Sequence, residues 1–322
     1  MIKRIGVTLC WLLIITVVIL IGAGNYIYNV ALNRSDEGIK LYGTEEAVKA
    51  VSALEEEQKR LQELTSWTGQ QDFEEVEIHS DDGLKLSALY LKNDASNGKT
   101  VILTHGYKGN NEQLPEVTKF YYEKGYDILK PDARGHGKSE GDYIGMGWDD
   151  RQDIRKWIDY LIREKKEKTI FLHGFSMGAS TVLMASGDEL PHEVKGIIAD
   201  SGYTSVKEEL AHQLKHLYNL PSFPLIDITS LVTEKRAGFS FEEASALNQV
   251  KKKDHDLPLF IIHGDKDELV PPEMAQRLYE NASGMKELWI IPDVGHTQGF
   301  LEDDEEYKRR LMGFIQEAMT AN

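Results

Sequence analysis

Cysteine is nearly absent from this chain. One occurs in 322 residues, Cys10, and it lies inside an amino-terminal apolar run. Disulfides and cysteine-ligated metal sites are therefore excluded for whatever folds after that run. Positive charge is also scarce. Against 53 Asp and Glu stand 37 Lys and Arg, a formal net charge of −16. That balance argues against nucleic acid as a partner, and against docking of the soluble surface on anionic lipid. Charge of either sign is missing altogether from Ile5 to Tyr28.

As a helix, that charge-free run would span ~36 Å at ~1.5 Å per residue, enough for a ~30 Å hydrocarbon core. Lys3 and Arg4 precede it, and Tyr26 and Tyr28 close it like interfacial anchors. The expectation is one transmembrane signal-anchor helix over residues 1–30, with a cytoplasmic amino terminus and an extracytoplasmic remainder. Gly22-Ala23-Gly24 offers a small-residue cleavage site, so a removed signal peptide is the alternative, though the run is long for one. Residues 31–70 read as a linker and an amphipathic stalk helix. Thr44 is its N-cap, and Ala47, Val48, Val51, Leu54, Leu61 and Leu64 form its apolar stripe.

Residues 71–322 alternate between strand and helix patterns. A hairpin is expected from Phe73–His79 and Leu84–Leu91, turning at Asp82-Gly83. Buried-type strands follow at Lys99–Thr104, Tyr126–Lys130, Thr169–His173, Val194–Ala199, Leu259–Gly264 and Glu287–Ile291. Helix patterns separate them, Trp148–Arg163 and Asp303–Ala318 being the longest. This order means α/β class, with a mostly parallel sheet covered by helices on both faces. The alternation breaks at about residues 203–256, an interval at the strand-end edge long enough to form a small helical cap.

The chemistry centres on Gly174-Phe175-Ser176-Met177-Gly178, between a strand and a helix of small residues. A serine there sits on a sharp corner with its Oγ exposed. Its hydroxyl needs a base, and the base needs an orienting carboxylate. Asp265 and Asp267 follow the strand ending in His263-Gly264, and His296 follows the next strand, the chain order expected for such a serine. His105, His173 and His263 end apolar strands, where a buried structural histidine is the default, and Asp132 and Arg134 read as braces of a glycine-rich loop. His212 and His216 share a helix face, but no third ligand accompanies them, and neither a metal nor an organic cofactor is expected. Met146, Trp148 and Tyr203 are candidates for an acyl pocket, or for core.

The set His105-Gly106, Asp132-x-Arg-Gly-x-Gly-x-Ser139, Gly174-Phe-Ser-Met-Gly178, Asp200-Ser-Gly202, His263-Gly-x-x-Asp267-x-x-Val-Pro271 and Gly295-His296 resembles the α/β-hydrolase family, in its branch of BEM46-like and serine-aminopeptidase-like serine hydrolases. The resemblance covers roughly Phe73 to the carboxyl terminus and leaves the anchor and stalk outside. It implies the α/β-hydrolase fold, with Ser176 as nucleophile, Asp267 as acid and His296 as base. It also implies an oxyanion hole from the backbone N–H groups of Tyr107 and Met177. The expected activity is cleavage of a carboxylic ester through an acyl-enzyme. A peptidase or amidase with the same three residues is the alternative, and a non-catalytic anchored binding module the third reading. The expected partners are a small-molecule ester or short peptide, and the membrane through the amino-terminal helix.

Overall fold

The computed structural model describes residues 2–34, 63–252, 257–302 and 304–321. Most of the expected stalk helix lies outside those residues; residues 63–69 are helical.

Eight strands form one sheet: β1 (Glu74–His79), β2 (Lys85–Leu91), β3 (Thr100–Thr104), β4 (Asp127–Pro131), β5 (Ile170–Phe175), β6 (Val194–Asp200), β7 (Leu259–Gly264) and β8 (Lys286–Ile291). Their spatial order is β1-β2-β4-β3-β5-β6-β7-β8. β1 pairs antiparallel with β2 and β2 antiparallel with β4, while every pair from β4 to β8 is parallel. Sequence and position agree. The inner strands β3, β5 and β7 are buried along their whole length, as continuous apolar runs must be when helices cover both faces. β1 alternates and has one buried residue, Val76, as an edge strand does.

The helices are α1 (Ile2–Ala31), α2 (Pro115–Glu123), α3 (Asp150–Tyr160), α4 (Met177–Ala185), α5 (Val206–Tyr218), α6 (Leu225–Ala237), α7 (Ala246–Val250), α8 (Pro272–Asn281), α9 (Gly299–Glu302) and α10 (Asp304–Ala321). α2 and α10 cover one face of the sheet through Val117, Phe120, Leu311 and Phe314. α3, α4, α7 and α8 cover the other through Trp157, Val182, Leu247 and Leu278. Each such fully buried side chain is worth roughly 1.5–3 kcal/mol. α4 is buried on every side, and its small residues let it lie close to the sheet.

Two features position the site. α5 and α6 occupy the interval between β6 and β7. The second feature is the docking of α1. A helix long and apolar enough to cross a membrane runs from Arg4 to Ala31, yet its final turns pack on the domain. A Cβ at Gly24 would sit 2.7 Å from Ile228 Cγ2, so glycine sets how closely α1 approaches α6. The Arg236 guanidinium lies 4.0 Å from the centre of the Tyr28 ring and donates to Asn29 Oδ1 at 2.9 Å. Leu32 is fully buried, and Arg34 donates to the Ser139 and Gly137 carbonyls at 2.7 and 2.9 Å.

Candidate active site

Ser176 stands between β5 and α4 with φ 55° and ψ −116°, a conformation that costs a non-glycine residue free energy and persists only where the surroundings enforce it. Here they do. A Cβ on Gly178 would lie 2.3 Å from Thr104 O, so only glycine lets α4 start so close to β3. The resulting corner leaves Ser176 half-buried and facing a cavity.

Ser176 Oγ lies 2.8 Å from His296 Nε2, and His296 Nδ1 lies 2.7 Å from Asp267 Oδ2. An ionised carboxylate can only accept, so Nδ1 carries the imidazole proton and Nε2 is left to accept from the serine. Asp267 is fully enclosed. Its Oδ1 accepts from the backbone N–H groups of Leu269 and Val270 at 3.0 and 2.9 Å. Burial alone would raise its carboxyl, but hydrogen bonds from His263 and His296 outweigh that and hold it well below the usual carboxylate range. Asp265 does not join this set; its Oδ1 caps the Asp293 N–H at 2.7 Å.

The β3 loop reaches the same point. A Cβ on Gly106 would be 3.4 Å from Ser176 Cβ, which brings the backbone before Tyr107 against the serine. Met177 opens α4, so its N–H belongs to the first helical turn, whose donors have no partner within the helix. The loop is tied down by two histidines. His105 Nε2 accepts from Ala133 N at 3.1 Å, and His136 Nε2 accepts from Lys108 N at 3.1 Å. Burial lowers both, to about 3 and about 4, so both remain neutral acceptors at physiological pH. Asp132 accepts from the N–H groups of Asn111 and Lys138, and Arg134 pairs bidentately with Asp153 at 2.7 and 2.8 Å. All four brace the loops and lie outside the cavity lining.

That cavity, about 210 Å³, is mostly apolar. Met146 and Tyr203 line it as the sequence suggested, joined by a bond from Tyr203 Oη to Met146 O at 2.8 Å; Trp148 does not reach it. Leu210, Leu214 and Leu217 of α5 form another wall, and Ala23, Ile27 and Val30 of α1 a third. Its polar end holds Glu209 and Gln213, bonded to each other at 2.9 Å. Glu209 Oε2 and Gln213 Oε1 are buried without partners among the described residues. Burial pushes the Glu209 carboxyl up to about 8, and the Asp267 charge adds to the rise.

A serine on a strained corner, hydrogen-bonded through histidine to a buried aspartate at the carboxyl edge of a parallel sheet, agrees with what similarity shows. Residues 95–229 match the family described as serine aminopeptidase, S33. The esterase Pf2001 of Pyrococcus furiosus superposes with a TM-score of 0.63 at 28% identity, covering 80% of this chain and 94% of that one. The chain has the α/β-hydrolase fold. The hydrolase is 29% identical over 217 residues to the uncharacterized protein YqkD of Bacillus subtilis (strain 168), 67% of this chain and 70% of that one. It is 25% identical over 234 residues to the lysophosphatidylserine lipase ABHD12 of Mus musculus, 69% of this chain and 56% of that one. These likenesses are to serine hydrolases and esterases of that fold.

Sequence reasoning missed three parts of the hydrolase site. His263 was read as a structural histidine, but its Nε2 lies 3.1 Å from Asp267 Oδ2 and 2.8 Å from Val270 O. Both partners only accept, so Nε2 is the protonated nitrogen, and it helps hold the aspartate in place. The spacing of four to Asp267 was the available signal. Glu209 and Gln213 face the cavity from a helix read only as cap. The wall supplied by α1 had no signal, because an apolar run looks the same against lipid or against a pocket. His212, read against a metal, bonds Glu268 O at 2.9 Å.

Proposed function

We propose that the protein hydrolyses carboxylic esters through Ser176, His296 and Asp267. The observation that supports this most is the continuous chain of two bonds, 2.8 and 2.7 Å long, from Ser176 to Asp267 at the floor of an apolar cavity. His296 Nε2 takes the serine proton as Oγ attacks the ester carbonyl carbon. The carbonyl oxygen becomes an oxyanion held by the N–H groups of Tyr107 and Met177, each worth on the order of 3 kcal/mol. Collapse breaks the ester bond, His296 returns the proton to the leaving alkoxide, and an acyl-enzyme remains. Water, deprotonated by the same histidine, then attacks it and releases the acid.

An ester fits the cavity better than the amino end of a peptide. An ammonium group would need an ionised partner, whereas the lining is mostly apolar and burial disfavours the charged form of Glu209, its one acidic side chain. In the chain as a whole, α1 is the anchor, its last turns and residues up to Arg34 dock on the domain, and residues 71–322 are the hydrolase domain with its cap at about 203–256. Lys3 and Arg4 favour a cytoplasmic amino terminus and an extracytoplasmic domain. The test is labelling of the full chain in detergent with a fluorophosphonate probe, followed by turnover of p-nitrophenyl acetate. Wild type should be labelled and active. Ser176→Ala should be unlabelled and slower by at least about 10⁴-fold, with its melting temperature unchanged within a few degrees. Labelling that persists in Ser176→Ala would reject the assignment.

A further inference from the structure

The anchor helix and the catalytic cavity are one construction. Residues Arg4 to Ile21 of α1 are exposed or nearly so, and eighteen helical residues span ~27 Å, close to the thickness of a bilayer core. From Ala23 onward the same helix lines the cavity that holds Ser176 and His296. No tether separates the two, so the membrane surface must lie at the mouth of the cavity.

A second, independent observation marks the same face. Outside α1, and among the described residues, the exposed large hydrophobic side chains are Leu217, Tyr218, Leu220, Phe223, Leu231 and Leu301. All but Leu301 fall within fifteen residues of chain, from the end of α5 into α6, the helix against which α1 packs. Phe223 is 77% exposed, an expensive arrangement in water. Leu217, Tyr218 and Leu220 also line the cavity, so its rim is continuous with the membrane helix. The net charge of −16 leaves apolar insertion, rather than attraction to anionic headgroups, as the means of contact.

We propose that residues 217–231 insert into the bilayer beside α1, and that the cavity receives the acyl chain of its ester directly from the membrane. This rests on the ester-hydrolase reading above. The substrate class is then an acyl ester amphiphile resident in the leaflet that faces the domain. Its chain passes between α1 and α5, and its carbonyl comes to Ser176. Ala23 and Ile27 become determinants of chain length, although both belong to the membrane helix.

Two measurements on the full chain in phosphatidylcholine vesicles test this. In the first, kcat/KM is compared for p-nitrophenyl palmitate and p-nitrophenyl acetate. Ala23→Trp should lower the palmitate-to-acetate ratio by about tenfold, the loss of roughly two buried methylenes. In the second, Phe223→Cys in a Cys10→Ser background carries an environment-sensitive fluorophore. It should be quenched by a nitroxide on the lipid chain and not by aqueous iodide. Glu123→Cys, at the end of α2 away from the carboxyl edge of the sheet, should show the reverse. An unchanged ratio overturns the proposal. So does iodide quenching at position 223, and so does shielding there from both quenchers, which would mean a second copy or another protein covers the face. Were wild type inactive on both esters, the hydrolase reading would fail, while quenching at 223 would still decide the membrane contact.

Discussion

Glu209 offers a test of the site's electrostatics that needs no substrate. Its carboxyl is buried at the polar end of the cavity, and burial pushes it from an ordinary 4.5 to about 8. Between those two values the folded protein keeps a proton that the unfolded chain has released. Stability therefore falls as pH rises, by about 1.4 kcal/mol per pH unit. The contribution is fully present below pH 4.5 and fully lost above 8. Glu209→Gln keeps the shape and the hydrogen-bonding partner Gln213 but cannot ionise, so it removes this slope. From pH 5.5 to 8 the stability of Glu209→Gln relative to wild type should rise by about 3 kcal/mol, or roughly 8 °C in melting temperature. Above pH 8 the difference should level off. The assay is a series of thermal melts of both proteins in one detergent from pH 5 to 9. A difference that stays constant over that range would mean Glu209 is ionised throughout, and would also remove the argument that the cavity lacks a partner for an ammonium group.

Gly178→Ala should fail to fold or lose about 3 kcal/mol, because the added Cβ meets the backbone oxygen of Thr104 rather than a side chain that could move; denaturant titration measures it. Tyr307→Phe removes the donor to Asp200 Oδ2 at 2.7 Å and leaves a fully buried carboxylate short of a partner. The expected cost is about 2 kcal/mol by denaturant unfolding, with acetate turnover within a factor of a few of wild type.

The fold was legible because its inner strands are apolar throughout and end in glycine-rich loops. β3, β5 and β7 fall where the sequence put them, within a residue or two. Besides the four-residue α9, two helices have no counterpart in the sequence pattern above. α6 mixes β-branched and polar residues without a clear apolar stripe, because it is packed by α1 on one side and α5 on another. α8 has a helix signal, with proline at its first turn and Met274, Ala275 and Leu278 on one face, but it is short and lies between two loop motifs. Ser176, Asp267 and His296 could be picked out because each follows the carboxyl end of a strand and the fold brings those ends together. The cavity walls could not, since nothing local in Ala23 or Leu210 records which distant surface it faces. The hydropathy of α1 marks a helix long and apolar enough to cross a membrane and is silent on the pocket.

Tyr107 has a consequence beyond its backbone. Its phenol donates to Ala31 O at 2.8 Å, the last residue of α1, while its own main chain lies against Ser176. On the proposed reading, one side chain is thus a strut between a membrane helix, whose tilt would answer to bilayer thickness, and the loop proposed to receive the oxyanion. The prediction is that mechanical state and chemical rate are coupled through it. In nanodiscs of thin and thick lipids the wild type should turn over p-nitrophenyl acetate at different rates, and Tyr107→Phe should bring those rates together. Identical wild-type rates in both would show that the strut carries no load.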